Sequence, residues 1–300
     1  RYLSYLDAAA AALLALDRFV LKLAYVVHTA VHAESNPTGT LSSMVYMAYN
    51  QRSLFVTGVW TTVQLALAGT AIAFVLALLM VFLRIQEPDK RNNDFVKIIK
   101  IVANKFARFY IFVIRGTPMM VQSLIFYYAI FNLFKRTGMS VTEINRVWSL
   151  FISGLVTVSL NSTAYLAEVL RGGILAVDAG QMEAARSLGM THWQAMRRVV
   201  FPQAIKNSLP AIGNEFIINI KDSSVLCVLG VSDLMFMTRS VAGIYYKGTE
   251  CYLIAATVYL FLTYLSSLLL KTITGRMTAP DNTKRHQGNQ TVDLGLPSSN

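Results

Sequence analysis

Along this chain apolar residues come in long blocks rather than in alternation, and short polar stretches separate the blocks. Those at 56–83, from after Arg108 through Phe134, at 147–170, 211–229 and 251–270 each offer enough apolar length to cross roughly 30 Å of hydrocarbon as a helix. The pattern predicts an all-α polytopic membrane protein with about five core transmembrane helices, because in lipid a helix satisfies its backbone groups within one segment. Residues 3–31 are apolar too, but Asp7, Asp17, Arg18 and Lys22 interrupt them, and charges are costly at a bilayer centre. They predict an amphipathic or peripheral helix with no cleavable signal; an additional span is the alternative. Residues 34–40, with Asn36-Pro37 and Gly39, read as a loop. The division is thus an N-terminal helix and linker over 1–50, a membrane domain over 51–277, and a polar, turn-rich tail over 278–300 that predicts disorder.

The longest polar interlude in the second half is GQMEAARSLGMTHWQAMRRVVFP, from Gly180 to Pro202, within a loop at 176–206. From Gln181 to Leu188 it predicts a short helix with Glu183 in the first turn, Ala184 and Ala185 as a small smooth face, and Gly189 as a left-handed stop. A second helix starts near Thr191, whose hydroxyl can cap its free amides, and Pro202 is expected to end the segment. The two alanines, rimmed by Glu183 and Arg186, form a compact knob that another protein could cup.

Composition strengthens the membrane reading: 54% of the 300 residues are hydrophobic and only 14% are charged, with a mean hydropathy of +0.47. The formal charge of +11 would suit a nucleic-acid partner, but the basic residues lie mostly between the apolar blocks, as the positive-inside rule requires. No nucleic acid is expected as a partner. Sixteen Lys or Arg fall in the loops and tail placed inside, against five in the two loops placed outside at 135–146 and 230–250. Within 84–108, Lys97, Lys100, Asn104 and Arg108 recur at helical spacing opposite Ile98, Ile99, Val102, Phe106 and Phe109, so this part is expected to lie along lipid at the membrane surface. Cys227 and Cys251 give no disulfide framework, and no metal-ligand cluster or catalytic triad stands clear of the spans. The absence of GxxxxGK[ST] means that the chain has no phosphate cradle of its own.

Polar residues inside apolar blocks are the remaining candidates. Arg115-Gly116-Thr117-Pro118 interrupts the second span, where Pro118 removes a donor and frees carbonyls that need partners. The break either lines a path or is a kink with Arg115 snorkelling, and Gln122, one turn on, either faces the same cavity or packs between helices. Asn161, Tyr165, Glu168 and Gly172 follow steps of four, three and four, placing them on one helix face. Glu168 there either binds a substrate ammonium or forms a structural ion pair with Arg171 or with a partner subunit. Asp222, Ser223 and Ser224, after Lys221, predict a discontinuity between half-helices facing a pore or a subunit interface. Glu168 and the Asp222 cluster read as the only buried carboxylates with polar surroundings.

At the knob the chain resembles the membrane permease subunits of ATP-binding-cassette importers, whose loop carries Glu-Ala-Ala, three residues, Gly, nine residues, then Ile-x-Leu-Pro. Glu183, Ala184, Ala185 and Gly189 match, while Val199 and Phe201 stand for Ile and Leu before Pro202. RGTPMMVQ from Arg115, NSTAYLAEVLRGGI from Asn161, PQA from Pro202 and KDSSVL from Lys221 look like the polar amino acid branch. The resemblance implies a type I importer transmembrane domain in a bacterial cytoplasmic membrane, with knob and C-terminus cytoplasmic. It implies two ATPase subunits docked around Gln181, Glu183, Ala184, Ala185, Gly189 and Pro202, which bind the ATP and Mg that this chain does not. It also implies a second permease copy or homologue and an extracytoplasmic amino acid binding protein. The rival functions are an ion-coupled secondary transporter, against which the lack of an internal repeat weighs, and a membrane scaffold or sensor.

Overall fold

The computed structural model describes residues 2–85 and 93–277, and side chains over 15–85 and 93–275. Every regular element among them is helical: α1 (Tyr2–Val31), α2 (Thr40–Asn50), α3 (Arg52–Ile85), α4 (Asp94–Gly116), α5 (Met119–Arg136), α6 (Val141–Val147), α7 (Leu150–Leu175), α8 (Ala179–Ser187), α9 (His192–Ala195), α10 (Phe201–Asp222), α11 (Leu234–Tyr245) and α12 (Gly248–Met277). The expected tail at 278–300 and part of the loop at 84–108 lie outside the described residues.

Three of these helices, α3, α7 and α12, are long and apolar enough to cross a bilayer alone. The second expected span is instead a bent pair: α4 and α5 meet at 112° across Thr117-Pro118. The fourth segment also departs from expectation. Pro202 does not end the knob's second helix; it sits in the first turn of α10, where a missing N–H costs least. A π-helical turn, Met196–Val200, precedes it and carries α9 into α10 as one helical rod, with the Phe201 amide donating to the Met196 carbonyl. α10 then runs to Asp222 and tightens into a 3-10 turn at Ser223–Val228, which is the discontinuity expected at that polar cluster.

The frame of the molecule is α3 packed along α7. Ala73, Ala77 and Val81 of α3 meet Ala164, Leu166, Ala167 and Leu170 of α7, with Ile111 and Ile114 of α4 closing the cluster. Small residues permit this close approach, as expected where lipid supplies no hydrophobic driving force between helices. A Cβ at Gly69 would stand 2.6 Å from Val158 Cγ1, and one at Gly173 would stand 2.7 Å from the Ala204 carbonyl of α10.

The stretch at 230–250, expected to remain as an outer loop, folds back as α11 against α3 and α12. Asp233 caps it, accepting the Phe236 amide at 2.9 Å, and the Leu234 amide reaches Thr62 Oγ1 of α3 at 3.1 Å. Asp233 is fully buried, and burial pushes its carboxyl up to about 7. On the other expected outer stretch, Ser140 and Glu143 form a reciprocal capping box for α6. Bonds from the Ser140 backbone amide and then its hydroxyl hold the Glu143 carboxyl below the ordinary carboxylate range. Cys227 and Cys251 are both free thiols.

Candidate functional site

The knob is built by two caps and one left-handed residue. Asp178 accepts the Gly180 amide at 2.6 Å and starts α8. Gly189 then turns the chain with φ +82°, a conformation that costs a side-chain-bearing residue but not glycine. Thr191 and Gln194 start α9 with a reciprocal capping box at 3.3 and 2.9 Å. Gln181, Glu183, Ala184 and Arg186 are exposed on the outside of the knob. The paired-alanine face is not formed: Ala185 is 4% exposed and packs inward, leaving Ala184 alone at the surface. Gln203 of α10 braces α8 through Gln181, at 3.3 Å.

The helix break at Thr117-Pro118 is filled by Gln122. Its Nε2 lies 2.7 Å from the Ile114 carbonyl, 2.9 Å from the Thr117 carbonyl and 2.8 Å from Thr117 Oγ1, so one buried amide serves the acceptors that the break frees. Its Oε1 accepts Asn161 Nδ2 of α7 at 3.0 Å. Gln122 and Asn161 are therefore committed to holding the α4–α5 elbow onto α7. Arg115, exposed at the end of α4, stacks over the Tyr165 ring at 5.0 Å.

One turn further along that face, Glu168 is clamped between two guanidiniums, Arg84 of α3 and Arg171 of α7, the latter at 2.9 Å. The Arg84 carbonyl in turn accepts Asn104 Nδ2 of α4 at 2.7 Å. Of the two sequence readings of Glu168, the ion pair is the one formed in this conformation. Gly172, the last member of the face, is exposed, as is Asp222; Ser223 is buried and donates to the Ile220 carbonyl at 3.0 Å, and Ser224 is half-buried.

The expectation that Glu168 and the Asp222 cluster are the only buried carboxylates is overturned by Asp233 and by Glu215 of α10. Glu215 is 7% exposed, whereas the Glu168 side chain keeps about a fifth of its surface in the open. The Ser162 hydroxyl of α7 lies within hydrogen-bonding reach of Glu215 and donates to Asn219 Oδ1 at 2.8 Å; Asn219 Nδ2 continues to Thr70 Oγ1 of α3 at 2.8 Å. The charges that act on Glu215 are those of Asp222 and, less strongly, Arg115. The spacing of Glu215, Asn219 and Asp222, four then three, carries the signal that places them on one face. No group of three or more His, Cys, Asp or Glu side chains among the described residues has a metal-binding arrangement.

A knob joined to spans whose polar groups converge between α3, α4, α7 and α10 matches a family model described as the binding-protein-dependent transport system inner membrane component, over residues 99–279. The chain belongs to this family. It is 31% identical to a nopaline transport system permease protein of Agrobacterium fabrum over 70% of this chain and 82% of that one. It is 34% identical to the glutamine transport system permease protein of Escherichia coli, over 59% and 76% of the two chains. Among solved structures, an amino acid ABC transporter crystallised with histidines has 39% identity and a TM-score of 0.63, over 76% of this chain and 95% of that one. An inward-facing methionine ABC transporter, at 19% identity and a TM-score of 0.60, shares the fold.

Proposed function

We propose that this chain is the translocation subunit of an ATP-driven importer of polar amino acids in a bacterial cytoplasmic membrane. It would work with a second permease copy or homologue, two ATPase subunits docked on the knob, and an extracytoplasmic binding protein. ATP-driven closure of the ATPases draws the knobs together and rotates the spans as rigid bodies between inward and outward access. The amino acid substrate is supported by the names of the relatives, and the observation that carries it in this chain is Glu215. A zwitterion inside a low-dielectric path needs a partner for each charge. Glu215 supplies a buried carboxylate for the ammonium group, and Arg115, over Tyr165, supplies the cation for the carboxylate.

Copurification from native membrane with mass spectrometry of partners tests the assembly; recovery of no ATPase subunit and no second permease contradicts it. Uptake by the reconstituted complex should require ATP, whereas uptake that survives ATP depletion and collapses with an uncoupler marks an ion-coupled carrier. Gly189→Val strains the left-handed turn by about 1–3 kcal/mol and is expected to abolish substrate-stimulated ATP hydrolysis while leaving the protein in the membrane. Wild-type stimulation in that variant removes the knob from the coupling path.

A further inference from the structure

The covalent connection from the knob into α10 changes helix type along the way. α9 is four residues long, and the π turn Met196–Val200 follows it with wider, less common hydrogen bonding. Pro202 then contributes no backbone donor.

A second connection bypasses these turns. Trp193, in the first turn of α9, packs edge-to-face on Phe82 near the inner end of α3, with ring centroids 5.7 Å apart and planes at 76°. Both rings are otherwise open, at 54% and 44% exposure, so this contact is not an incidental part of a packed core. The Thr191–Gln194 capping box fixes the start of α9 and with it the position of Trp193. Two residues beyond Phe82, Arg84 joins α3 to Glu168 of α7 by its guanidinium and to Asn104 of α4 by its carbonyl.

We infer that Trp193 and Phe82 form a strut that carries motion of the knob to α3, and that the Arg84–Glu168 ion pair passes it on to α7. The inference rests on the proposed importer function. Trp193 and Phe82 are positioning residues: neither lies in the polar path, and their task is to keep the knob and the α3–α7 frame moving together.

The test uses the full importer, with its ATPase subunits and binding protein, reconstituted in proteoliposomes, and measures the ratio of amino acid taken up to ATP hydrolysed. Phe82→Ala is expected to lower that ratio about fivefold, the scale of one lost aromatic edge contact, while ATPase copurification and basal hydrolysis stay at the wild-type level. Phe82→Leu, which keeps apolar bulk but lacks the ring, guards against a folding defect and should show the same direction of loss. Trp193→Phe should retain the ratio, Trp193→Ala should lose it, and the double alanine variant should fall no further than either single one. A wild-type ratio in both Phe82 variants overturns the strut. So does loss of ATPase binding in Trp193→Ala with normal coupling in Phe82→Ala, since Trp193 would then be a docking residue. If the wild-type complex shows no ATP-dependent uptake at all, the proposed function fails rather than the strut.

Discussion

Two carboxylates in neighbouring helices, Glu168 of α7 and Glu215 of α10, stand in opposite environments. Glu168 is partly open and held by two guanidiniums, so its charge is spent on joining α3 to α7. Glu215 is almost fully enclosed, has hydroxyl and amide neighbours, and has the Arg115 charge nearby without an ion pair to it within 4.0 Å among the described residues. A charge already neutralised serves structure; one enclosed without a dedicated counter-ion is free to answer an incoming cation. The difference separates a strap from the group proposed to bind substrate.

The largest expected effect of breaking that comparison is on the strap. Glu168→Ala leaves Arg84 and Arg171 facing each other without their acceptor and should destabilise the protein by about 2–4 kcal/mol, less in proportion to its partial exposure to solvent. Thermal unfolding in detergent checks this, and a change in uptake without a change in melting would refute the strap. Glu215→Gln, by contrast, keeps shape and hydrogen-bonding atoms, and should melt with the wild type.

Next in size is the elbow between α4 and α5. Gln122→Leu removes the amide that serves the Ile114 and Thr117 carbonyls, at a cost of roughly 1–3 kcal/mol for buried acceptors left unmade. Faster proteolysis confined to the stretch around Thr117 would report it. Unchanged digestion would show that the break is satisfied in another way.

A third carboxylate, the buried Asp233, extends the comparison outside the spans. Burial raises its carboxyl to about 7, so the folded protein holds this proton more tightly than the unfolded chain. Its contribution to stability is full below the ordinary aspartate value of about 4 and is lost as pH rises through 7. The wild type should therefore melt higher at pH 5 than at pH 8, and Asp233→Asn should flatten that slope; an unchanged slope contradicts the assignment. Glu143 gives the smallest effect and the opposite sign. Its lowered value stabilises α6 at neutral pH and ceases to do so in acid, and because the group is exposed, Glu143→Gln should move the melting point only at the edge of detection.

Much of this contrast was not legible along the chain, for physical reasons. The spanning helices α3, α7 and α12 announce themselves through their apolar length, and the knob through its capping residues and Gly189. Glu168 could be read as an ion pair with Arg171, but Arg84 lies 84 positions away, a pairing that exists only once α3 packs on α7. Glu215 is the one charged residue in AIGNEFIIN, less conspicuous along the chain than the run Lys221-Asp222-Ser223-Ser224, of which Asp222 proves exposed. Pro202 read as a terminator because a π turn has no sequence signature that distinguishes it from a helix end. Ala185 looked equivalent to Ala184, and only the return of the chain through α9 buries one and not the other.

The central claim, that Glu215 meets substrate and Glu168 does not, is tested most directly by comparing arginine and glutamine uptake in Glu215→Gln and Glu168→Gln, reconstituted at matched amounts. Glu215→Gln is expected to raise the apparent KM for both amino acids about tenfold, the scale of one lost charge contact, because each carries the same ammonium group, while Glu168→Gln leaves both KM values at the wild-type level. An unchanged KM for both amino acids in Glu215→Gln, or a raised one in Glu168→Gln, would contradict it.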